Sequence, residues 1–74
     1  MSIEETDRIL TPREREALLL LSRGLLRDQI AEEMCITHGS VRNLIQIVRR
    51  KLDVETSIQA VVWAWAHGLV QPIE

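Results

Sequence analysis

The 74-residue sequence predicts a single all-α domain of four helices. Apolar residues recur at intervals of three and four along most of the chain, which is the period of a helix with one buried face. Capping residues precede three of these stretches, and no segment shows the alternation of apolar and polar residues that marks a strand. A composition of 46% apolar and 27% charged residues is typical of one small folded domain.

The first predicted helix covers residues 12–23. Thr11 supplies an N-cap hydroxyl, Pro12 suits the first helical position, and Glu14 completes the spacing of a capping box. Gly24 follows as the left-handed residue that commonly ends a helix. The charged residues of this helix, Glu14 among them, are expected on its solvent-exposed side.

The second and third predicted helices cover residues 27–34 and 38–51. The second helix has no evident capping side chain, and Cys35 after it is expected in the core at the corner of the turn. Thr37 is placed to cap the third helix, which has the clearest amphipathic pattern of the four. Its predicted buried stripe consists of Val41, Leu44, Ile45, Val48 and Leu52.

The fourth predicted helix covers residues 57–67, and Thr56 with Gln59 repeats the capping-box spacing. It has almost no polar side, which predicts that a partner covers it. Two tryptophans two positions apart cannot both face the core of a helix, and tryptophan is frequent at the centre of protein interfaces. The predicted dimer patch consists of Val62, Trp63 and Ala66, with Trp65 as a further candidate.

The distribution of charge is more informative than the net charge of −2. Residues 36–51 carry four basic side chains and no acidic one, whereas every other part of the chain has more acids than bases. The face of the third helix left free by the buried stripe is therefore cationic. A charged face of this kind favours either a nucleic-acid partner or plain solvation.

Several classes of protein are excluded by what the sequence lacks. It has no apolar run long enough to span a bilayer and no basic start typical of a signal peptide, so we expect a cytoplasmic protein without membrane association. The single cysteine, Cys35, provides neither a disulfide nor a zinc framework. Since no nucleophile has a partner base, the sequence predicts neither an enzyme nor a bound metal or cofactor.

The second and third helices, joined by a tight turn, have the lengths of a helix-turn-helix. The positions that must be small or apolar in such a unit are filled in register by Ile30, Ala31, Met34, Ile36, Val41 and Leu44. The domain is predicted over residues 10–70, between a flexible acidic arm of residues 1–9 and a tail of residues 71–74.

On these residues the sequence resembles the DNA-binding domain of LuxR/GerE-type transcriptional regulators. The stretches that carry the resemblance are residues 10–16, 30–32, 40–43, 51–52 and 59–61. The resemblance implies a third helix that enters the major groove and a fourth helix that pairs two subunits. Because no sensory domain precedes it in the sequence, the chain is expected to be of the stand-alone, spore-regulator-like form.

Candidate DNA-contacting residues follow from the third helix and from the resemblance. Arg42, Asn43 and Gln46 share one side of the helix, and their side chains can pair with guanine or adenine edges. The predicted backbone contacts are Arg27, Thr37, His38, Ser40, Arg49, Arg50 and Lys51. Thr37 and Ser40 are equally suited to capping, and Lys51 to packing its stem on the fold.

Two departures from the family pattern bear on DNA affinity. Asp28 stands where the family usually has a basic residue, and a carboxylate near the DNA backbone repels phosphate. Leu44 stands where the family usually has a histidine, and an apolar residue there is compatible with the fold.

The leading hypothesis is a homodimeric, sequence-specific transcription regulator that binds an inverted-repeat site in double-stranded DNA. The alternative is an interaction module that heterodimerises with a LuxR-type regulator and inhibits it. The excess of acidic over basic residues and the apolar fourth helix favour this alternative. A module that binds RNA polymerase is a third hypothesis.

Overall fold

The computed structural model describes residues 9–68. Four α-helices lie in this range: α1 (Pro12–Ser22), α2 (Arg27–Met34), α3 (His38–Leu52) and α4 (Ser57–Ala66). The predicted all-α, four-helix fold class is confirmed, and the C-terminal ends of α1, α3 and α4 differ from the predicted ones by one residue. The predicted tail and all of the predicted arm except Ile9 lie outside the described residues.

Local hydrogen bonds at the helix starts account for where α1 and α4 begin. The amide of Glu14 donates to Thr11 Oγ1 at 3.2 Å, and the amide of Thr11 donates to Glu14 Oε1 at 3.0 Å. The amide of Gln59 donates to Thr56 Oγ1 at 3.1 Å, and the Gln59 side chain accepts from the Thr56 amide at 3.1 Å. Both capping boxes are therefore formed as the sequence predicts.

The start of α2 has a cap that the sequence analysis missed. Leu26 stands at the N-cap and has no side-chain acceptor, but Gln29 Oε1 accepts a hydrogen bond from the Leu26 amide at 2.8 Å. The signal was the glutamine three residues after the cap, which is half of a capping box.

Left-handed residues close the turns between the helices. Gly24 has a φ of +86° and ends α1 as predicted. Cys35 has a φ of +56° and ends α2, where the amide of Ile36 donates to the carbonyl oxygen of Ala31 at 3.0 Å. The predicted core position of Cys35 is wrong, because the side chain at this left-handed turn is exposed to solvent.

α1 and α3 make the most extensive helix-to-helix contact and hold the other two helices. One core cluster lies between these two helices and α4; its buried members are Leu10, Leu18, Val48, Leu52, Ala60 and Ala64. A second cluster lies under the helix-turn-helix; its buried members are Ala17, Ile30, Ala31, Met34, Val41 and Ile45. The stripe of α3 is thus divided between the two clusters.

Glu14 is buried, with 5% of its surface exposed, so its predicted solvent-exposed position is wrong. Its Oε1 lies 2.7 Å from Nζ of Lys51, which comes from the end of α3. Burial raises the pKa of Glu14, but the ammonium of Lys51 and the amide of Thr11 outweigh burial and hold that pKa below its ordinary value. The pair links the start of α1 to the end of α3.

No helix within residues 9–68 is long and apolar enough to span a bilayer.

Candidate nucleic-acid interface

The packing of α2 against α3 fixes how α3 is presented to a ligand. Four of the six apolar positions predicted for a helix-turn-helix are buried, and the other two, Ile36 and Leu44, pack half-buried against the same cluster. Ala31 is small enough for α3 to cross close to α2. Leu44 therefore contributes to the fold at the position where the sequence departs from the family pattern.

The outward face of α3 carries side chains that are free to bind. Arg42, Asn43 and Gln46 are exposed, and none of them makes a hydrogen bond or ion pair with another residue in the range 9–68. No acidic residue occurs between His38 and Leu52. The face offers guanidinium and amide groups, whose donor and acceptor patterns match guanine and adenine edges in the major groove.

A groove of about 400 Å³ runs between the start of α2 and the outward face of α3. Its lining includes Arg27 and Asp28 from α2 and His38, Arg42, Gln46 and Arg49 from α3. In a helix-turn-helix bound to DNA, the first helix crosses the phosphate backbone while the second lies in the major groove. The groove lies between these two helices of the helix-turn-helix.

Asp28 and His38 form a contact that connects the two helices of the helix-turn-helix. His38 Nε2 lies 3.4 Å from Asp28 Oδ1. Among the residues that line the groove, Asp28 is the only acid. Besides the cations that line the groove, the carboxylate of Asp28 contacts the imidazole of His38.

Four of the remaining predicted backbone-contacting residues are exposed. Arg27 and Arg50 are exposed and have no partner in the part of the chain that the structure describes. Thr37 and Ser40 are exposed and serve as the cap of α3: the Ser40 amide donates to Thr37 Oγ1 at 3.1 Å, and the Thr37 hydroxyl donates to Ser40 Oγ at 3.0 Å.

Two of the predicted backbone-contacting cations are engaged within the fold. Lys51 pairs with the buried carboxylate of Glu14. Its ammonium therefore has a partner within the fold and needs no contact with DNA. Arg49 Nη2 donates to the carbonyl oxygen of Glu55 in the connection that leads to α4. Sequence reasoning missed both contacts because each partner comes from a different element.

The exposed face of α4 is apolar. Ile58, Val62 and Trp65 are 75%, 58% and 51% exposed. They follow one another at spacings of four and three residues, so they form a single stripe along α4. We call these three residues the α4 stripe. Ala66 is also exposed, beside this stripe.

The orientation of Trp63 differs from the one predicted for the dimer patch. The ring is half-buried against the core cluster between α1, α3 and α4, and it stacks on the ring of His67 with centroids 4.1 Å apart. His67 Nδ1 also lies 2.9 Å from the carbonyl oxygen of Trp63. The outward position predicted for Trp63 is therefore wrong, and Trp65 is the outward tryptophan.

Within residues 9–68, no three His, Cys, Asp or Glu side chains are grouped so that they could hold a metal ion.

A short helix pair with a close crossing and a cationic, acid-free second helix defines the class of helix-turn-helix DNA-binding domains. Residues 8–64 match the family described as bacterial regulatory proteins, luxR family. The chain belongs to this LuxR family.

Curated relatives from staphylococci carry the same region. The chain is 38% identical over 63 residues to the response regulator protein VraR of Staphylococcus aureus, and the same values hold for VraR of Staphylococcus saprophyticus and of Staphylococcus epidermidis. The matched region is 85% of this chain and 30% of each relative. The chain thus spans less than a third of the length of these response regulators.

Proposed function

We propose that the protein is a sequence-specific transcription regulator that binds double-stranded DNA as a homodimer in the cytoplasm. The observation that carries this proposal is the exposed face of α3, where Arg42, Asn43 and Gln46 stand unpartnered among residues 9–68 and without a neighbouring acid on the helix. Membership of a family of regulatory proteins supports it. The proposal includes no enzymatic activity.

In the proposed complex, α3 lies in the major groove. Arg42 pairs with guanine O6 and N7, and Asn43 and Gln46 read adenine or neighbouring edges, with each good bidentate contact contributing ~1–3 kcal/mol of discrimination. Arg27, His38, Ser40 and Arg50 contact phosphates and set the position of α3 without reading sequence. Thr37 acts through its cap, and Arg49 and Lys51 contribute mainly to the fold.

The two subunits pair through α4 in this proposal. The α4 stripe and Ala66 form a patch that a two-fold axis makes self-complementary, because each residue then faces the same surface of the partner. Two recognition helices related in this way reach half-sites ~34 Å apart, which predicts an inverted repeat.

The test is selection of the purified protein against a pool of random duplex DNA at near-physiological salt. Arg42→Ala is run in parallel, with Arg23→Ala as the control that removes the same charge from the exposed end of α1. We expect an inverted-repeat motif with wild type and Arg23→Ala, and loss of selectivity with Arg42→Ala. An unchanged motif with Arg42→Ala would contradict the assignment of the recognition face.

A second candidate function is inhibition of a LuxR-type regulator by heterodimer formation. The exposed α4 stripe and the carboxylate of Asp28 in the DNA-facing groove favour it. Light scattering separates the two candidates: a stable homodimer that enriches a motif supports the regulator. A monomer that enriches no DNA but binds a full-length LuxR-type protein supports the inhibitor.

A further inference from the structure

We propose that Arg49 and Gln59 are positioning residues for DNA binding, which together fix the angle between α3 and α4 and so select one separation of half-sites. The inference rests on the proposed function, in which α3 lies in the major groove and α4 pairs the subunits. It goes beyond that function, because it assigns the choice of separation to side chains other than the proposed base contacts and the α4 stripe.

Glu55 lies in the connection between α3 and α4, residues 53–56, and side chains from both helices bind its backbone. Arg49 Nη2, in the last turn of α3, donates to the carbonyl oxygen of Glu55. Gln59 Oε1, in the first turn of α4, accepts from the Glu55 amide at 2.7 Å and from the Thr56 amide at 3.1 Å. One short backbone segment is thus held from both helices.

The start of the connection is held by the backbone at the end of α3. Asp53 has a φ of +56°, and its amide donates to the carbonyl oxygen of Arg50 at 3.2 Å. The Val54 amide donates to the carbonyl oxygen of Arg49 at 3.0 Å, and the Val54 side chain packs against the core cluster between α1, α3 and α4. Every amide of residues 53–56 therefore has an acceptor, which favours a single conformation of the connection.

The core contacts of α4 restrict its orientation less than those of α3. The buried residues of α4 are two alanines, Ala60 and Ala64, and Trp63 beside them is half-buried. Helices are oriented by side chains that interlock as ridges and grooves, and alanine forms only shallow ridges. We therefore expect the hydrogen bonds of the connection to contribute strongly to the angle between α3 and α4.

In a dimer paired through α4, this angle sets where the two copies of α3 meet the duplex. One base pair more or fewer changes the separation of half-sites by ~3.4 Å and rotates one about the duplex by about 35° relative to the other. A rigid unit of α3 and α4 cannot follow this change. We expect wild type to bind the altered spacing roughly tenfold more weakly, which corresponds to one lost base contact.

The first experiment is selection from a pool of random duplex DNA with wild type, Gln59→Leu and Gln59→Glu. Leucine removes the acceptor of the two amides at similar size, and glutamate is the matched control that keeps an oxygen in the same place. We expect the same half-site sequence from all three proteins. Wild type and Gln59→Glu should select one separation of half-sites, and Gln59→Leu should also select separations one or two base pairs away.

The second experiment measures the discrimination by fluorescence anisotropy. The duplexes are the selected inverted repeat, the same repeat with one base pair more or fewer between half-sites, and a single half-site. Gln59→Leu should reduce the discrimination from roughly tenfold to roughly threefold, because a flexible connection lets α3 follow the altered spacing. Its affinity for the single half-site, which needs no fixed angle, should stay at the wild-type value.

Arg49→Met tests the other half of the contact and keeps the inference falsifiable if Gln59→Leu does not fold, which circular dichroism determines. Methionine keeps an unbranched stem but cannot donate to Glu55. Arg50→Met is the matched control, because it removes the same charge from the neighbouring exposed arginine. We expect Arg49→Met to lose discrimination between spacings and Arg50→Met to keep it, even where Arg50→Met binds every duplex more weakly.

Three results would overturn the inference and leave the proposed function intact. The first is an inverted repeat that wild type binds equally well at several spacings. The second is a single, unchanged separation selected by a folded Gln59→Leu or Arg49→Met. The third is an equal loss of discrimination in Arg49→Met and Arg50→Met, which indicates an effect of charge. If wild type selects no inverted repeat, the proposed function fails and the inference fails with it.

Discussion

The exposed faces of α3 and α4 differ in chemistry, although each helix is anchored by a buried apolar stripe on its other side. α3 presents arginine and amide groups that have no partner in the described part of the chain. α4 presents Ile58, Val62 and Trp65, whose burial is favourable against any apolar surface. One small domain can therefore present a cationic, hydrogen-bonding surface and a separate apolar surface.

Val62→Asp is expected to have the largest effect on the α4 stripe. A carboxylate at the centre of the α4 stripe faces its own copy across a two-fold axis, and an unpaired buried charge costs ~3–5 kcal/mol. We expect affinity for an inverted repeat to fall by about that free energy, while affinity for a single half-site is unchanged. Anisotropy with both duplexes measures this.

Val62→Thr is the matched control, since it keeps the shape of the side chain without a charge. Equal affinity of Val62→Asp and wild type for the inverted repeat would show that α4 does not pair the subunits.

The two tryptophans of α4 lie two residues apart on different faces, so their substitutions are expected to have different effects. Trp63→Ala removes a ring from the core and is expected to lower the free energy of unfolding by ~2–3 kcal/mol. Trp65→Ala is expected to leave that free energy nearly unchanged and to weaken self-association instead. Urea unfolding and sedimentation analysis of both variants are the measurements.

The opposite result, in which Trp65→Ala unfolds more easily than Trp63→Ala, would mean that Trp65 and not Trp63 faces the core.

Glu14→Gln tests which cations of α3 belong to the fold. Because the pKa of Glu14 is held below its ordinary value of 4.5, the stabilising contribution of its pair with Lys51 is complete above that pH. The contribution is lost as pH falls through the lower folded value. We expect Glu14→Gln to be ~1–2 kcal/mol less stable than wild type at neutral pH, because the buried contact loses its charge.

Urea unfolding at several pH values gives the free energy of unfolding of each protein as a function of pH. The values for wild type and Glu14→Gln should converge at strongly acidic pH. A constant difference over the whole range would contradict the assignment of the pair as a source of pH-dependent stability.

Arg50→Ala has the smallest expected effect and concerns the exposed cation next to Lys51. With about three phosphates neutralised per subunit, the dimer should show a slope near −5 for log affinity against log salt. Loss of one phosphate contact per subunit should reduce that slope by about 2 for the dimer and weaken all sequences alike.

Lys51→Ala is the matched control for the salt slope, since its ammonium is held by Glu14. The slope should stay at the wild-type value while stability falls. A slope reduced equally by both variants would place Lys51 at the phosphates.

The parts of the fold that could be predicted depend on residues close together in sequence. The caps at Thr11, Thr37 and Thr56 follow from spacings of three residues, and the buried stripe of α3 follows from helical periodicity. The burial of Glu14 could not be predicted, because it depends on Lys51 in another helix. The outward position predicted for Trp63 was wrong for the same reason, because only tertiary packing distinguishes Trp63 from Trp65.

The candidate site likewise has features that could be predicted from the sequence and features that could not. The exposed positions of Arg42, Asn43 and Gln46 follow from the stripe that they leave free. Two contacts could not be predicted: the hydrogen bond from Arg49 to Glu55 and the contact between Asp28 and His38. Both depend on the geometry of the turns, which helical periodicity does not determine. Roles in DNA recognition remain predictions for all of these residues.

The division of the α3 stripe between two core clusters has a thermodynamic consequence for recognition. Val41 and Ile45 fix the first half of the helix, and Val48 and Leu52 fix the second half, so the axis of α3 is set before any ligand arrives. Ordering on binding is then confined to long side chains such as Arg42 and Gln46, each of which loses ~0.5–1.5 kcal/mol of rotamer freedom. Because the helix backbone is packed along both halves in the free protein, we expect it to add little entropic penalty to association.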